Sequence, residues 1–170
     1  MKIYKNFLDK ESFLNIKETL LSYYFPWFLN LKVVSEKDLL LNSKLKNYDF
    51  QFCHIFYIDN KINSQYYNLL FPLIDKIKPK SLLRIKANLL TKTHKHMEHG
   101  YHVDFNDKKI TTGVFYLDDS NGYTKFKNGK KIKSSSNTYV EFNSSLEHTG
   151  ATQTDEKTRI VINFNYFKWN

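Results

Sequence analysis

The stretch Arg159–Phe167, RIVINFNYF, decides the fold. Read with the two-residue period of a strand, it puts Ile160, Ile162, Phe164 and Tyr166 on one face and Arg159, Val161, Asn163 and Asn165 on the other. The first face is nearly pure core. The second carries a permanent cation and two amides, which are costly to enclose without partners. Such a strand fits between a hydrophobic layer and a polar cavity. A guanidinium at the mouth of that cavity suits the clamping of a ligand carboxylate by two parallel hydrogen bonds. The plainer alternative is a surface ion pair of Arg159 with Asp155 or Glu156.

Further strand-like runs lie N-terminal to it, at Leu82–Leu90, Thr111–Leu117, Tyr123–Phe126, Lys131–Lys133 and Thr138–Phe142. Asparagine, glycine and serine separate them, notably at Ser120-Asn121-Gly122 and Asn128-Gly129. The latter reads as the turn of a hairpin between Tyr123–Phe126 and Lys131–Lys133. The texture before Pro79 is different. Asp9 can cap a helix in which Phe13, Ile16, Leu20 and Tyr24 recur every three or four residues, and Pro26 stops it. A short apolar piece, Leu31–Val34, precedes a lysine and asparagine stretch. Phe50, Phe52, His54, Phe56 and Ile58 then alternate, with Cys53, Ile55 and Tyr57 on the opposite side. This predicts a strand covered on both faces, with His54 a buried or edge histidine within it. Tyr66, Leu69, Leu70, Leu73, Ile74 and Ile77 predict a second helix whose start or straightness depends on Pro72. The pattern predicts a mainly β fold, an antiparallel barrel or jelly roll buttressed by N-terminal α-helices. No repeat or composition break divides residues 1–170, so one domain is expected, with 1–79 as support and 80–170 as the jelly-roll core.

The composition narrows the function classes. At 170 residues the chain can bury a sizeable core, and 41% hydrophobic with 25% charged residues excludes wholesale disorder. No apolar run approaches the ~20 residues of a membrane span, and the opening MKIYKNFLDK lacks a signal-peptide core. A single cysteine, Cys53, rules out an internal disulfide and fits a reducing, cytoplasmic setting. The net charge of +9 invites a nucleic-acid reading. Yet the excess is lysine, with Arg84 and Arg159 the only guanidinium forks. Lys125, Lys127, Lys130, Lys131 and Lys133 surround the Asn128-Gly129 turn, either as a solvated face or as a means of steering an anionic substrate.

Four of the six histidines crowd into THKHMEHGYHVDF. His96, His99 and His102 could line a helix face and hold zinc, although Gly100 and the strand-like YHVDF weaken a helix. His102 and Asp104, one residue apart, leave the same face of an extended segment and can approach one ion. A third ligand must then come from elsewhere, and His148 in SLEHTG is the sole later histidine. Two histidines and one carboxylate form the open-sided triad of non-haem Fe(II) oxygenases. The other histidines, His94, His96 and His99, are expected in a partly exposed loop near the entrance. Tyr101, Phe105 and Tyr123 read equally well as a substrate rim or as barrel packing.

YHVDF, TTGVFYLDD, NGYTKF, SLEHTG and TRIVINFNYF, in this order, resemble the iron- and 2-oxoglutarate-dependent dioxygenase superfamily, nearest its prolyl 4-hydroxylase-like branch. The resemblance runs from Leu82 to Phe167 and extends to compact members carried by bacterial viruses, which would place the protein in a host cytoplasm. It implies a double-stranded β-helix, with His102, Asp104 and His148 as iron ligands and Arg159 as the residue that binds the distal carboxylate of 2-oxoglutarate. Tyr116 falls where the branch often has a tyrosine donating to that carboxylate, and Asn163 at a polar position facing the co-substrate. Gly122-Tyr123-Thr124 resembles the Gly-Gly-x-Thr turn of the branch, with Asn121 in place of the first glycine. Where a further tyrosine is common this chain has Leu90, and Asn88 is the nearby residue that could supply the missing hydrogen bond.

The activity so implied uses Fe(II), 2-oxoglutarate and O2 to hydroxylate an unactivated C–H bond, releasing succinate and CO2. The carboxylate of Asp104 argues against halogenation, for which family members have a small residue at this position. A peptidyl proline or another amino-acid side chain is the favoured substrate, within a peptide or a small molecule. Two alternatives stand beside it: a nucleic-acid oxidative demethylase of the same superfamily, which usually has a second arginine where this chain has Asn165, and a non-catalytic jelly-roll binding module.

Overall fold

The computed structural model describes residues 1–31, 33 and 50–169. The lysine and asparagine stretch, and Lys32 and Val34 of the expected apolar piece, lie outside the described residues. Eleven strands are present among those described, β1 (Lys2–Tyr4), β2 (Phe28–Asn30), β3 (Gln51–Ile58), β4 (Lys61–Ile62), β5 (Ser81–Thr91), β6 (Ile110–Tyr116), β7 (Tyr123–Phe126), β8 (Lys131–Lys133), β9 (Thr138–Asn143), β10 (His148–Ala151) and β11 (Thr158–Phe167). With them are helices α1 (Lys10–Leu21) and α2 (Phe71–Ile77).

The RIVINFNYF stretch is the interior of the larger sheet, whose order is β1-β9-β6-β11-β5-β3-β2, with β4 paired to β3. Its neighbours run antiparallel on both sides: Arg159 faces Leu90, Asn163 faces Lys86 and Asn165 faces Arg84 on β5, while Val161 faces Tyr116 on β6. A smaller sheet, β10-β7-β8, closes the other side. This is the mainly β, double-stranded arrangement that the sequence predicts. β1 and β3 of the N-terminal region pair with β9 and β5, so the larger sheet runs across residue 79 without a seam.

Two hydrophobic layers follow from the alternation. Ile160, Ile162, Phe164 and Tyr166 pack with Phe115 and Leu117 against Ile16 and Leu20 of α1 and Leu73 of α2. Between the two sheets, Val161 joins Val114, Tyr116, Val140, Phe142, Phe126 and Ile132. The cap of α1 is Asp9, whose Oδ1 accepts from the Ser12 amide at 2.9 Å. The helix ends at Leu21, before Pro26, which leaves Tyr24 outside it and exposed. The second predicted helix divides: a 3-10 turn, Tyr67–Leu70, leads into α2. Pro72 lies in the first turn of α2, where its missing N–H had no helical partner to lose. Gly129 adopts φ +86° in the β7–β8 hairpin, and its amide donates to the Phe126 carbonyl at 2.9 Å.

The strand β3 differs from expectation. His54 and Phe56 are buried, whereas Cys53, Ile55 and Tyr57 on the other face are only partly covered. The reason is its place toward the edge of the sheet, with the short β2 and β4 beyond it. His54 is a satisfied core histidine: its Nδ1 lies 2.8 Å from the Pro26 carbonyl and its Nε2 2.7 Å from Ser64 Oγ. Burial lowers its pKa and keeps it neutral.

On β6, Gly113 is required by packing. A Cβ there would land on the hydroxyl end of Tyr139, a ring held by its hydrogen bond to Tyr166 at 2.9 Å. Overpacking of this kind costs ~1–3 kcal/mol. Gly113→Ala should therefore lower the melting temperature by roughly 2–12 °C. A calorimetric scan showing no decrease would contradict this packing.

Candidate functional site

Backbone pairing brings two distant segments together. His102 and His148 form an isolated antiparallel bridge, with the His102 amide donating to the His148 carbonyl at 2.9 Å and the His148 amide to the His102 carbonyl at 3.0 Å. Their rings therefore face each other, 4.7 Å between centroids. Two residues beyond His102, Asp104 places Oδ1 3.9 Å from His102 Nε2. One ligand atom from each of His102, Asp104 and His148 falls within 4.8 Å of the others.

The donor chemistry fits a metal ion. Nδ1 of His148 lies 2.9 Å from the Leu146 carbonyl and Nδ1 of His102 lies 3.5 Å from that of Gly100. Each contact favours the proton on Nδ1 and leaves the Nε2 lone pair free, the usual orientation of a ligating histidine. Burial, and then the neighbouring His148, hold the His102 pKa down and keep its ring in the neutral, ligating form. Burial alone would raise the pKa of Asp104, but Arg84, the two histidines and a hydrogen bond from Asn165 outweigh it and keep the carboxylate ionised.

Sequence reasoning missed the support of Asp104. Arg84 Nη2 donates to Oδ1 at 3.2 Å, while Oδ2 accepts from Thr112 Oγ1 at 2.9 Å and Asn165 Nδ2 at 3.0 Å. Asn165 in turn accepts from Arg84 Nε at 3.0 Å. Asn165 thus serves the carboxylate rather than the cavity. Arg84 and Asn165 are register partners on β5 and β11, so the pairing of those strands was the signal that could have found them.

The same cavity, about 200 Å³, is lined by the triad, Arg159, Asn88 and Asn163. Arg159 is 3% exposed and makes no ion pair among the described residues, which excludes the surface bridge to Asp155 or Glu156. Its Nη2 donates to Thr124 Oγ1 at a long 3.4 Å, and its Nε has no hydrogen-bond partner. Asn88 Oδ1 and Asn163 Oδ1 are likewise buried without partners. Gly122 makes room for this guanidinium, since a Cβ there would stand 2.5 Å from Arg159 Cδ.

Tyr116, expected to donate to the carboxylate held by Arg159, lies beside that guanidinium. It is fully buried, its hydroxyl donates to Thr124 Oγ1 at 2.8 Å, and its ring lies 5.6 Å from the Arg159 guanidinium. It therefore touches both Thr124, which lines the cavity, and Arg159. The entrance histidines also separate. His94 and His96 are exposed as expected, but His99 is buried and lines the cavity, where burial and then Arg159 push its pKa down to about 4. No helix carries His96, His99 and His102, so the zinc-face alternative lacks its scaffold. At the rim, Lys125 and Tyr123 both bond Glu98, at 2.9 and 2.7 Å, and Lys127 bonds Glu147. Tyr101 lies against Lys125 and Phe105 against Arg84, so these rings pack on cations.

No protein-family model matches the sequence, and no curated protein matches it. The structure does have clear neighbours. A Burkholderia pseudomallei oxidoreductase of the 2OG-Fe(II) oxygenase family aligns at TM-score 0.64 and 12% identity, over 98% of this chain and 83% of that one. A Trichoplax adhaerens prolyl hydroxylase, solved with a peptide fragment of the oxygen degradation domain of hypoxia inducible factor, aligns at 0.65 and 12%, again over 98% and 83%. A Pseudomonas putida prolyl-4-hydroxylase aligns at 0.58 and 12%, over 99% and 92%. The chain has the fold of the 2-oxoglutarate- and Fe(II)-dependent oxygenases. Among the described residues no helix is long and apolar enough to cross a membrane.

A metal titration checks the triad. Anaerobic Co(II) or Fe(II) should bind at one site per chain. His102→Ala should weaken it by more than the ~10–100-fold that loss of an outer-shell partner costs. Equal affinity after the substitution would remove His102 from the site.

Proposed function

We propose that this protein is an Fe(II)- and 2-oxoglutarate-dependent dioxygenase that hydroxylates an unactivated C–H bond of a peptidyl proline or another amino-acid side chain, with release of succinate and CO2. The observation that carries this reading is the buried guanidinium of Arg159, without a carboxylate partner among the described residues and facing the same cavity as the His102–Asp104–His148 triad. A buried cation left unpaired is costly, and an incoming carboxylate relieves that cost.

His102, Asp104 and His148 would hold the iron, which when bound couples oxidative decarboxylation of 2-oxoglutarate by O2 to oxidation of the substrate C–H bond. The protein's own part is positioning and electrostatics. Arg159 clamps the distal carboxylate of the co-substrate, Thr124, itself lining the cavity and backed by the Tyr116 hydroxyl, holds the guanidinium, and Gly122 leaves it space. Asn88 and Asn163 line the cavity, each with an amide oxygen that has no partner, and supply polar contacts where Leu90 offers none. His99, neutral at physiological pH, adds no second cation beside Arg159. Arg84, Thr112 and Asn165 fix the rotation of the Asp104 carboxylate and balance its charge.

Against the nucleic-acid alternative, Asn165 stands where a second arginine is usual in that branch. Arg84 brings a guanidinium to that asparagine from the adjacent strand, so the substitution by itself carries less weight. Products decide better than residue counts. Protein with Fe(II), 2-oxoglutarate and oxygen should be offered proline-containing peptides, free amino acids and methylated single-stranded oligonucleotides in parallel. Mass spectrometry should show a gain of one oxygen on a peptide or amino acid, coupled to succinate. Formaldehyde with demethylated oligonucleotide, and no hydroxylated peptide or amino acid, would overturn the substrate assignment.

Arg159→Leu should weaken 2-oxoglutarate binding by about 2–5 kcal/mol, because a charge-assisted pair is lost and a carboxylate is left buried without its partner. Metal affinity should be largely unchanged. Calorimetric titration of both ligands checks this, and an unaltered 2-oxoglutarate affinity would refute the role.

A further inference from the structure

The cavity face of β5 carries Arg84, Lys86, Asn88 and Leu90 in alternation, and all four side chains line the cavity. Leu90 lies opposite Arg159 in the register, and Lys86 opposite Asn163. Four residues along a strand separate those two levels, roughly 13 Å. Cationic groups therefore stand at two ends of one cavity, Arg159 at one and Lys86 with Arg84 at the other.

The two cations of the second end differ in how far they are satisfied. Arg84 is engaged with Asp104 and Asn165 and stacks on Phe105. Lys86 has no ion pair or hydrogen bond among the described residues. The charged and titratable groups that act on it are Cys53, Arg84 and Asp104, and Asp104 is already held by Arg84 and prospectively by the metal. Burial pulls the Lys86 pKa below its ordinary value, the mark of an ammonium short of compensation. At the rim the situation is reversed: Lys125 and Lys127 are neutralised by Glu98 and Glu147. Lys130, Lys131 and Lys133 of the same hairpin stay exposed and without an ion pair among the described residues, whereas Lys86 places its charge inside the cavity, where a small terminal anion can reach it.

We propose that Lys86 is an anion subsite for the substrate, receiving a carboxylate carried by the molecule to be oxidised, either a small acid or the acidic side chain of a peptide. The inference rests on the oxygenase reading, in which the co-substrate carboxylate occupies the Arg159 end and leaves the Lys86 end to the substrate. It narrows the substrate class from amino-acid side chains in general to those presented with a carboxylate within reach of the iron.

The test is equilibrium binding without oxygen, on protein saturated with Mn(II) and 2-oxoglutarate. The probes are N-acetylglutamate amide against N-acetylglutamine amide, a proline-glutamate tetrapeptide against its glutamine counterpart, and hexathymidylate. At least one carboxylate probe should bind about tenfold or more tighter than its amide. The pair that discriminates identifies the source as small acid or peptide. Lys86→Met should erase the preference and Lys86→Arg should keep it, with 2-oxoglutarate affinity within twofold of the parent in both. Lys86→Gln serves if the methionine variant does not fold. The proposal is overturned by the absence of any carboxylate preference, by a preference that survives Lys86→Met, or by a loss of 2-oxoglutarate affinity in that variant. Hexathymidylate binding more tightly than both acids would also overturn it. A parent protein that binds neither Mn(II) nor 2-oxoglutarate would instead refute the oxygenase reading, an outcome visible in the loading step before any probe is added.

Discussion

The antiparallel ladder between β5 and β11 is the constraint on which the site depends. Its register sets Leu90 against Arg159, Asn88 against Val161, Lys86 against Asn163 and Arg84 against Asn165. Because side chains alternate strictly, a slip of β11 by one residue would turn Arg159, Val161, Asn163 and Asn165 into the hydrophobic layer and bring Ile160, Ile162 and Phe164 into the cavity. The apolar face, packed on α1 and α2, makes such a slip prohibitive. The hydrophobic layer thus holds the polar groups in place without touching a ligand.

Charge burial inside the barrel is handled in two ways. Asp104 is surrounded by donors from β5, β6 and β11, so its ionised form is compensated before any ligand arrives. Arg159 is buried as deeply but left with one long hydrogen bond and an aromatic ring beside it. The first arrangement gives a carboxylate of fixed orientation. The second leaves a buried cation with an unmet demand for an anion.

How much of this was legible depended on whether a residue's role is local. The central strands could be read because β-branched and aromatic residues alternate over seven or more positions in β6 and β11. The strand β10, HTGA, carries no such pattern; it exists because its backbone pairs with β7, and nothing in four small or polar residues announces it. The short edge strands β1, β2 and β4 were invisible for the same reason. At the site, His102, Asp104, His148 and Arg159 could be picked out by residue type and spacing, since their chemistry is rare in the rest of the chain. Arg84, Thr112 and Asn165 could not, because each acts through Asp104 and only the sheet register brings them to it. His99 shows the opposite error: in a histidine-rich loop it looked like an exposed neighbour of His94 and His96, yet the Glu98–Ala151 bridge turns it inward.

The bridge between His102 and His148 gives the site a mechanical meaning. The two residues exchange both backbone hydrogen bonds, so their side chains are cross-strand neighbours on one face whether or not anything lies between them. An ion held by both rings would act as a clasp on the seam where the loop after β5 meets the smaller sheet. Opening that seam and releasing the ion become a single thermodynamic event, in which saturation by metal is protection against local unfolding. The smaller sheet, with three short strands, would then draw part of its rigidity from such an ion, and losing it would loosen the wall of the cavity.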